Sequence, residues 1–298
     1  MVEPTNFQFN EQACKTNSFQ QKPTNKEAAD APRKAKKEFN GFVKTLRSYG
    51  VDVTVIQDLP DSSCPDSVFP NNWISMHQSG ELFTYPMAIQ NRRQERRPDI
   101  INTLATKFNY NVKDLSFHEN KQIPEFLEGT GSMVFDHIDK IIYAAISPRT
   151  HINVLNEFSN LIGYKTISFN AYGKDGERIY HTNVMLCVGS TFALIGNKTI
   201  DESAYPKIRD SLLARNKEII ELSNDQIYNH FAGNMLQLIN NKAETLLVMS
   251  QTAINCLTKK QLEKIKKHND HIIPVDINTI EKIGGGSARC MIAEIFTR

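Results

Sequence analysis

Apolar and polar positions along the 298-residue chain follow one pattern that recurs. A short polar or glycine-containing loop precedes an apolar run of strand length, and a polar turn leads to a second apolar run. A helix-like segment and another strand-like run follow. Residues 258–268, for example, place Leu262 and Ile265 on one face and lysines on the other, as in an amphipathic helix. The pattern predicts an α/β unit of strand, strand, helix and strand.

Five copies of this unit align on their loops, at intervals of 51 to 59 residues. The aligned positions are Asn72, Gly131, Asn183, Asn234 and Arg289. Since a single unit cannot bury its apolar faces, we expect the five to pack around a shared axis as one domain spanning residues 1–298. The alternative is an ordinary α/β sandwich with coincidental spacing. Further helices are predicted at 99–108, 151–162 and 201–215, and closing strands at 112–117, 164–169, 217–222 and 271–275.

The first unit is divided between the two ends of the chain. A helix is predicted at 26–49, where Pro32 is expected to start or kink it. A closing strand is predicted at 51–56, and the apolar run at 291–296 predicts a last strand. Residues 57–65 and 118–126 are predicted to be loops that could close over a site.

Composition and charge exclude several classes of protein. The net charge of +2, with both signs mixed along the chain, gives no footprint for nucleic acid or a membrane surface. We find neither a transmembrane run nor a signal-peptide pattern. The 5 cysteines are scattered and form no CxxC pair, so we expect neither a disulfide scaffold nor a structural zinc site. The same usage of cysteine leads us to expect a cytoplasmic location.

Chemically useful side chains fall in the corresponding loops of different units. Glu128, His181 and Cys290 would meet at one end of a ring of repeats. An imidazole can take the proton of a thiol, and a carboxylate can orient the imidazole or bind a cation. Each residue has a purely structural alternative: Cys290 as a buried hydrophobe, His181 as a structural histidine, and Glu128 as an acceptor for loop amides. Their occurrence in matching loops favours a catalytic site.

The same loops carry motifs that resemble the guanidine-modifying (pentein) superfamily. This superfamily includes arginine deiminases, dimethylarginine dimethylaminohydrolases and amidinotransferases, and the chain looks most similar to its citrulline-utilisation branch. The resemblance implies a five-bladed, pseudo-fivefold α/β propeller. The motifs are Pro65-Asp66-Ser67-Val68-Phe69 with Asn71-Asn72, Arg92-Arg93-Gln94-Glu95-Arg96, Leu127-Glu128-Gly129, Ser147-Pro148-Arg149-Thr150, His181-Thr182-Asn183, Ala232-Gly233-Asn234-Met235-Leu236, and the glycines 284–286 with Cys290.

The resemblance also implies roles for individual residues. Cys290 matches the nucleophile that forms a covalent thio-adduct, His181 the general acid and base, and Glu128 the active-site acid. Asp66 matches a carboxylate that accepts from substrate N–H groups. Arg93 and Arg149 match arginines that hold the α-carboxylate, and the choice among Arg92, Arg93 and Arg96 stays open. A small amino acid is the expected partner, with no cofactor, metal, nucleic acid or membrane, and with a monomer or homodimer both possible.

Two amides stand where arginine-directed relatives carry acids. These are Asn72 and Asn183, and Gly131 also replaces a second acid. Burying a cation with fewer compensating charges costs several kcal/mol, whereas an amide both donates and accepts hydrogen bonds. We therefore expect a neutral ureido group, and hydrolysis of citrulline to ornithine, ammonia and carbon dioxide.

Other functions remain open from the sequence alone. An arginine deiminase, a methylarginine hydrolase or an amidinotransferase would use the same nucleophile. The ring fold also occurs as a non-catalytic binding protein acting on ribosomes, which would not require Cys290, His181 and Glu128 together.

Overall fold

The chain forms a mixed α/β fold of small sheets, seen in a computed structural model that describes residues 1–59 and 63–296. Within them, four sheets have three strands and one sheet has two. In each three-stranded sheet the second strand is central, with the first strand antiparallel to it and the third parallel. These sheets are β3 (Ile74–Met76), β4 (Glu81–Thr84) and β5 (Asn111–Asp114); β6 (Val134–Asp136), β7 (Ile141–Ala145) and β8 (Lys165–Phe169); β9 (Leu186–Val188), β10 (Phe192–Ile195) and β11 (Glu218–Glu221); and β12 (Leu236–Ile239), β13 (Thr245–Ser250) and β14 (His271–Val275).

Helices connect the central strand to the third strand, as the repeat predicts. Because a parallel neighbour needs a crossover connection, a helix between these two strands is the expected solution. The central strands β7 and β10 are buried along their whole length, and all four residues of β10 are inaccessible to solvent. The helices are α1 (Asn25–Ser48), α2 (Pro98–Phe108), α3 (Gly129–Ser132), α4 (Ile152–Ile162), α5 (Tyr205–Leu213), α6 (Asn224–Tyr228), α7 (Gln251–Cys256) and α8 (Lys259–Lys267).

Helix α1 begins at Asn25, so Pro32 lies inside the helix and does not start it. A reciprocal capping box fixes this start: Thr24 accepts from the backbone N–H of Glu27, whose side chain accepts from the backbone N–H of Thr24. The apolar face of α1, which includes Phe39 and Phe42, is buried in the core shared with β14.

The unit that is divided between the two ends of the chain is incomplete, and two of its predicted strands are corrected. Its sheet has only β1 (Val2–Glu3) paired in parallel with β2 (Ile56–Gln57), so Ile56 is the one residue of the predicted strand at 51–56 that lies in a strand. Ala288–Met291 forms a 3-10 turn, and residues 292–296 belong to no strand. Their apolar character has another cause, since Ala293 and Ile295 pack against a buried cluster. Burial alone does not supply a strand with a hydrogen-bonding partner.

The loops before the first strands lie against one another. The turn Pro70–Asn72 contacts both α3 and the turn Ala288–Met291, and α3 also contacts the turn Thr182–Val184. A Cβ at Gly131 would lie 2.5 Å from Asn72 Nδ2, so glycine is required for this approach. Of the predicted closing loops, 57–65 includes residues 60–62, which lie outside the described residues. The other contains a 3-10 turn, Ser116–Asn120.

Candidate active site

Cys290 lies in the turn Ala288–Met291, directly after the glycine-rich loop. Its sulfur is buried and is approached by two side-chain amides, from Asn234 Nδ2 at 3.2 Å and from Asn183 Nδ2 at 3.4 Å. Burial raises the pKa of the Cys290 thiol, and the two amide hydrogen bonds oppose that rise. Cys290 therefore rests as a thiol, which would need a base before it could act as a nucleophile.

His181 and Glu128 form a buried hydrogen-bonded pair. The His181 Nε2 to Glu128 Oε2 distance is 2.8 Å, and Glu128 Oε1 accepts from the Ala88 backbone N–H at 3.0 Å. Burial would raise the pKa of Glu128, but Arg149 and His181 outweigh it and hold that pKa at about 2. Burial lowers the pKa of His181 to about 4, against the opposing pull of Glu128. A neutral imidazole thus donates Nε2–H to an ionised carboxylate.

Asp66 offers an acceptor that has no partner. Its Oδ2 accepts from Asn10 Nδ2 at 2.7 Å, and Arg92 Nε lies 3.8 Å from the same oxygen. Its Oδ1 is buried and has no hydrogen-bond partner among the described residues. Burial raises the pKa of Asp66, while Arg92 and Asn10 lower it. A substrate N–H that reached Oδ1 would remove the cost of leaving this oxygen unpaired.

The two amides that replace acids take different positions. Asn72 Oδ1 accepts from Arg92 Nη1 at 2.7 Å, and Asn72 Nδ2 donates to Asn71 Oδ1 at 3.1 Å. Asn183 donates to Cys290, and its Oδ1 is a second buried acceptor with no partner in the described part of the chain. Asn183 therefore contacts the nucleophile and keeps one acceptor free.

The arginines separate into a buried and a half-buried group. Arg92 is buried, and Glu95 binds it with both carboxylate oxygens, at 2.8 and 2.9 Å. Arg93 lies outside the cavity wall: its Nε donates to Met87 O at 3.0 Å, and its side chain is 27% exposed. Arg149 is buried and donates from Nη2 to Thr16 Oγ1 at 2.7 Å. The structure thus brings Arg92 and Arg149 to the site, and leaves Arg93 outside the cavity wall.

These groups surround one cavity of about 10 Å³, close to the room that a single water molecule needs. Cys290 and His181 both line it, while Glu128 stands behind His181 and Asn183 behind Cys290. The cavity is lined by Asn17, Asp66, Phe69, Asn72, Arg92, Arg149, Tyr180, His181, Gly284, Gly285, Gly286 and Cys290.

Residues missed by sequence reasoning also contribute to the site. The N-terminal Asn17 donates to Gly285 O at 3.2 Å, and Tyr180 donates to the same oxygen at 2.7 Å. Tyr180 precedes His181, so its position next to a candidate site was a usable signal. Asn17 has no such signal, because its partner lies 268 residues away along the chain. Asn234 was visible as a repeat position, but its contact with sulfur was not.

The described part of the chain offers neither a metal-ligand cluster nor a membrane-spanning helix. Across residues 1–59 and 63–296, no three or more His, Cys, Asp or Glu side chains are grouped so that they could hold a metal ion. In the same part of the chain, no helix combines the length and apolarity needed to cross a bilayer.

Comparisons with known proteins identify relatives. The sequence matches the family model for N,N dimethylarginine dimethylhydrolase, eukaryotic, over residues 3–297. No curated protein sequence is significantly similar to the chain.

Solved structures share the fold at low sequence identity. The N-terminal domain of ArgZ, an arginine dihydrolase from the ornithine–ammonia cycle in cyanobacteria, has been solved as a mutant covalently bound to a reaction intermediate. It superposes with a TM-score of 0.76 at 15% identity, covering 100% of this chain and 97% of that one. A dimethylarginine dimethylaminohydrolase mutant, as an adduct with S-methyl-L-thiocitrulline, superposes with a TM-score of 0.64 at 18% identity, covering 97% and 96%.

Proposed function

Since the chain belongs to the N,N-dimethylarginine dimethylhydrolase family, within the pentein superfamily, we propose that it cleaves a terminal C–N bond of a small amino acid through a thio-adduct on Cys290. Members of this family act on guanidino groups of arginine-like substrates, and this chain is a hydrolase of carbon–nitrogen bonds. The supporting observation is that Cys290 and His181 line one cavity, with Glu128 hydrogen-bonded to His181 at 2.8 Å.

The first half of the reaction forms the adduct. His181 takes the proton of the Cys290 thiol, and the sulfur attacks the ureido or guanidino carbon. The imidazolium, held by Glu128, then gives that proton to the departing nitrogen, and the C–N bond breaks. With citrulline, ammonia leaves and a thiocarbamate remains on the sulfur. The developing positive charge on His181 is stabilised by the adjacent carboxylate.

The second half consumes one water. His181 takes a proton from water as the oxygen attacks the adduct carbon, and the C–S bond breaks to restore the thiol. The carbamate formed from citrulline loses carbon dioxide and leaves ornithine. A guanidino substrate would instead release its amine in the first half and a ureido product in the second.

We propose citrulline as the substrate because of the charges at the cavity wall. The wall carries one carboxylate, Asp66, and two guanidinium groups, Arg92 and Arg149. The nearby Glu95 already binds Arg92, and Glu128 already binds His181. A neutral ureido group avoids placing a third buried cation among these charges. The free acceptor Asp66 Oδ1, in the cavity wall, suits a ureido N–H group.

A methylated arginine is the second candidate, and the family match favours it. Its guanidinium would place N–H groups against Asp66, the one wall carboxylate with a buried oxygen that has no partner. The two candidates differ in net charge at the reacting group, so the choice depends on whether Asp66 can balance a cation on its own.

For the amino-acid end of the substrate we propose Arg149 and Arg93 as ligands of the α-carboxylate. Arg149 lies in the cavity wall and presents a planar fork of donors. Arg93 uses its Nε internally, and its terminal nitrogens have no hydrogen bond within the described residues. Arg92 donates to Glu95, Asn72 and Phe69 O, which suits it to holding Asn72 in place.

We also propose that the whole chain is one five-bladed propeller with an incomplete fifth blade. In support, the loops of successive units touch in ring order. Asn72 approaches Gly131, Asn234 donates to Asn183 O at 3.0 Å, and the turn that holds Cys290 contacts the turn that holds Asn72.

The five cysteines are free, which agrees with a reducing compartment such as the cytoplasm.

A product assay tests this function. The purified chain is incubated with citrulline, arginine, and monomethylated and dimethylated arginine, and ammonia, methylamines, ornithine and citrulline are quantified. We expect ornithine and ammonia in equal amounts from citrulline, and none with Cys290→Ala. Release of dimethylamine and citrulline from N,N-dimethylarginine, without turnover of added citrulline, would establish the second candidate instead. A new guanidino product formed with an added amine would indicate amidino transfer.

A further inference from the structure

We infer that Asn234 is a further catalytic residue, whose side-chain amide donates a hydrogen bond to the sulfur of Cys290 and stabilises it as the thiolate. The inference rests on the proposed function, in which Cys290 is the nucleophile. Asn234 Nδ2 lies 3.2 Å from Cys290 Sγ, and both side chains are buried. A hydrogen bond to an ionised acceptor is stronger than one to a neutral acceptor, so this contact favours the anion.

The orientation of the Asn234 amide is set by a second partner. Its Nδ2 also donates to the backbone oxygen of Asn183, at 3.0 Å. A carbonyl oxygen can only accept, so the nitrogen of the amide must face it. The two N–H bonds of this nitrogen then have two acceptors, the carbonyl of Asn183 and the sulfur. The donor is therefore aimed at Cys290 before any substrate arrives.

The backbone around Asn234 holds the amide rigidly. Phe231 adopts a left-handed conformation with φ 51°, and the Asn234 N–H donates to Phe231 O at 2.8 Å. A Cβ at Gly233 would lie 2.4 Å from Val184 O, so this loop packs directly on the loop that contains Asn183. A donor fixed in this way needs no reorganisation when the sulfur becomes charged.

Another buried cysteine lacks such donors. Cys187 lies in β9, and no side-chain hydrogen bond reaches its sulfur within the described residues. Burial raises the pKa of Cys187 to about 11. Cys290 is also buried, but amides from two different units converge on it, with Asn183 Nδ2 at 3.4 Å as the second. Asn183 also has a free acceptor for substrate, whereas Asn234 uses both N–H bonds on protein groups.

The test measures ionisation of the thiol and needs no substrate. The rate of Cys290 alkylation by iodoacetamide is followed against pH, with peptide mass spectrometry to separate Cys290 from the other cysteines. Asn234→Ala should raise the midpoint of this pH profile by about one pH unit, the effect of losing one charge-assisted hydrogen bond. Asn234→Asp has the same shape and adds a negative charge, so it should raise the midpoint further.

A matched control is Asn269→Ala. Asn269 is buried and donates to Ile265 O at 2.9 Å, in the last turn of α8. This variant should keep the wild-type midpoint. If either Asn234 variant is folded, as judged by circular dichroism, and keeps the wild-type midpoint, the inference is wrong. An equal shift in Asn269→Ala would overturn it too. Absence of turnover on every substrate would count against the proposed function and leave this result intact.

Discussion

Arg149 donates from Nη2 to Thr16 Oγ1 at 2.7 Å, which ties a cavity-wall arginine to the N-terminal segment that packs over the site. The same nitrogen donates to Ala13 O at 3.1 Å, and the guanidinium carbon lies 4.8 Å from the centre of the Tyr180 ring. Protein oxygens thus accept from the same Arg149 donors that a substrate carboxylate would use. Binding of that carboxylate would exchange one set of acceptors for the other.

The first prediction follows from this exchange. Arg149→Lys keeps a positive charge beside Glu128 but loses the planar fork. We expect the KM for an amino-acid substrate to rise about 10-fold or more, as for the loss of a charged hydrogen bond. Steady-state kinetics measures this change. A ureido amine that lacks the α-carboxylate should show little difference between the two enzymes, and an equal loss on both substrates would contradict the role. Arg215→Lys, a half-buried arginine that donates to Ser211 O, is the matched control and should keep the wild-type KM.

The second prediction concerns the nucleophile. Cys290→Ala should reduce turnover by at least about 10³-fold, because no other group can form the covalent adduct. The thermal midpoint should stay close to that of the wild type, since only the sulfur is removed. Cys187→Ala also removes a fully buried sulfur, from β9, and is the control. It should keep the activity, and full activity in Cys290→Ala would exclude the thio-adduct.

The third prediction concerns the pair at 2.8 Å between His181 and Glu128. Glu128→Gln keeps the shape but removes the charge that stabilises the imidazolium. We expect kcat to fall by about 10²- to 10⁴-fold, the range for general acid–base catalysis, with a smaller change in KM. Glu157→Gln alters a second histidine–glutamate pair, with His118 at 2.9 Å, and should leave kcat unchanged. Equal effects of the two substitutions on kcat would mean that Glu128 is only structural.

The fourth prediction concerns substrate charge. Asn72→Asp places a carboxylate in the cavity wall, where its oxygen can still accept from Arg92. The ratio of kcat/KM for arginine to that for citrulline should rise about 10-fold or more, because the added charge compensates a buried cation. Asn71→Asp adds the same charge one residue earlier, outside the cavity wall, and should change the ratio less. Competition assays with both substrates give the ratio directly, and an unchanged ratio in Asn72→Asp would remove the charge argument for citrulline.

The fifth prediction is a pH dependence of stability caused by His77. Burial lowers the pKa of His77 to about 3, from 6.5 in the unfolded chain. Between these values the unfolded chain binds a proton that the native state does not, so stability falls as the pH falls. From pH 7 to 4.5 this one group should remove roughly 2–3 kcal/mol of unfolding free energy.

Urea unfolding at several pH values measures that loss. His77→Phe, which removes the titrating ring, should lose less stability over the same interval by that amount. The ring of Phe135 packs 5.6 Å from that of His77, so Phe135→Leu disturbs the same cluster and keeps the histidine. It should retain the wild-type pH slope. Parallel pH curves for wild type and His77→Phe would show that His77 does not titrate in this way.

The apolar periodicity and the loop motifs were sufficient to predict the repeat and most of its elements. Strands β8 and β14, and helices α2 and α4, lie close to their predicted positions, because apolar runs and amphipathic patterns are local properties of the sequence. The superfamily resemblance is confirmed by the family match. The strand predicted from the apolar run at 291–296 was wrong, because apolar side chains indicate burial and not the presence of a neighbouring strand.

The order of amino acids therefore determined the unit, its repetition and the identity of a thiol, an imidazole and a carboxylate in matching loops. Only the tertiary structure decided which groups touch. It placed Arg92 and not Arg93 in the cavity wall, brought Asn17 to Gly285 across 268 residues, and aimed Asn234 at sulfur. Contacts of this kind depend on how separate loops approach in space, and a one-dimensional pattern does not encode distances between positions that lie far apart along the chain.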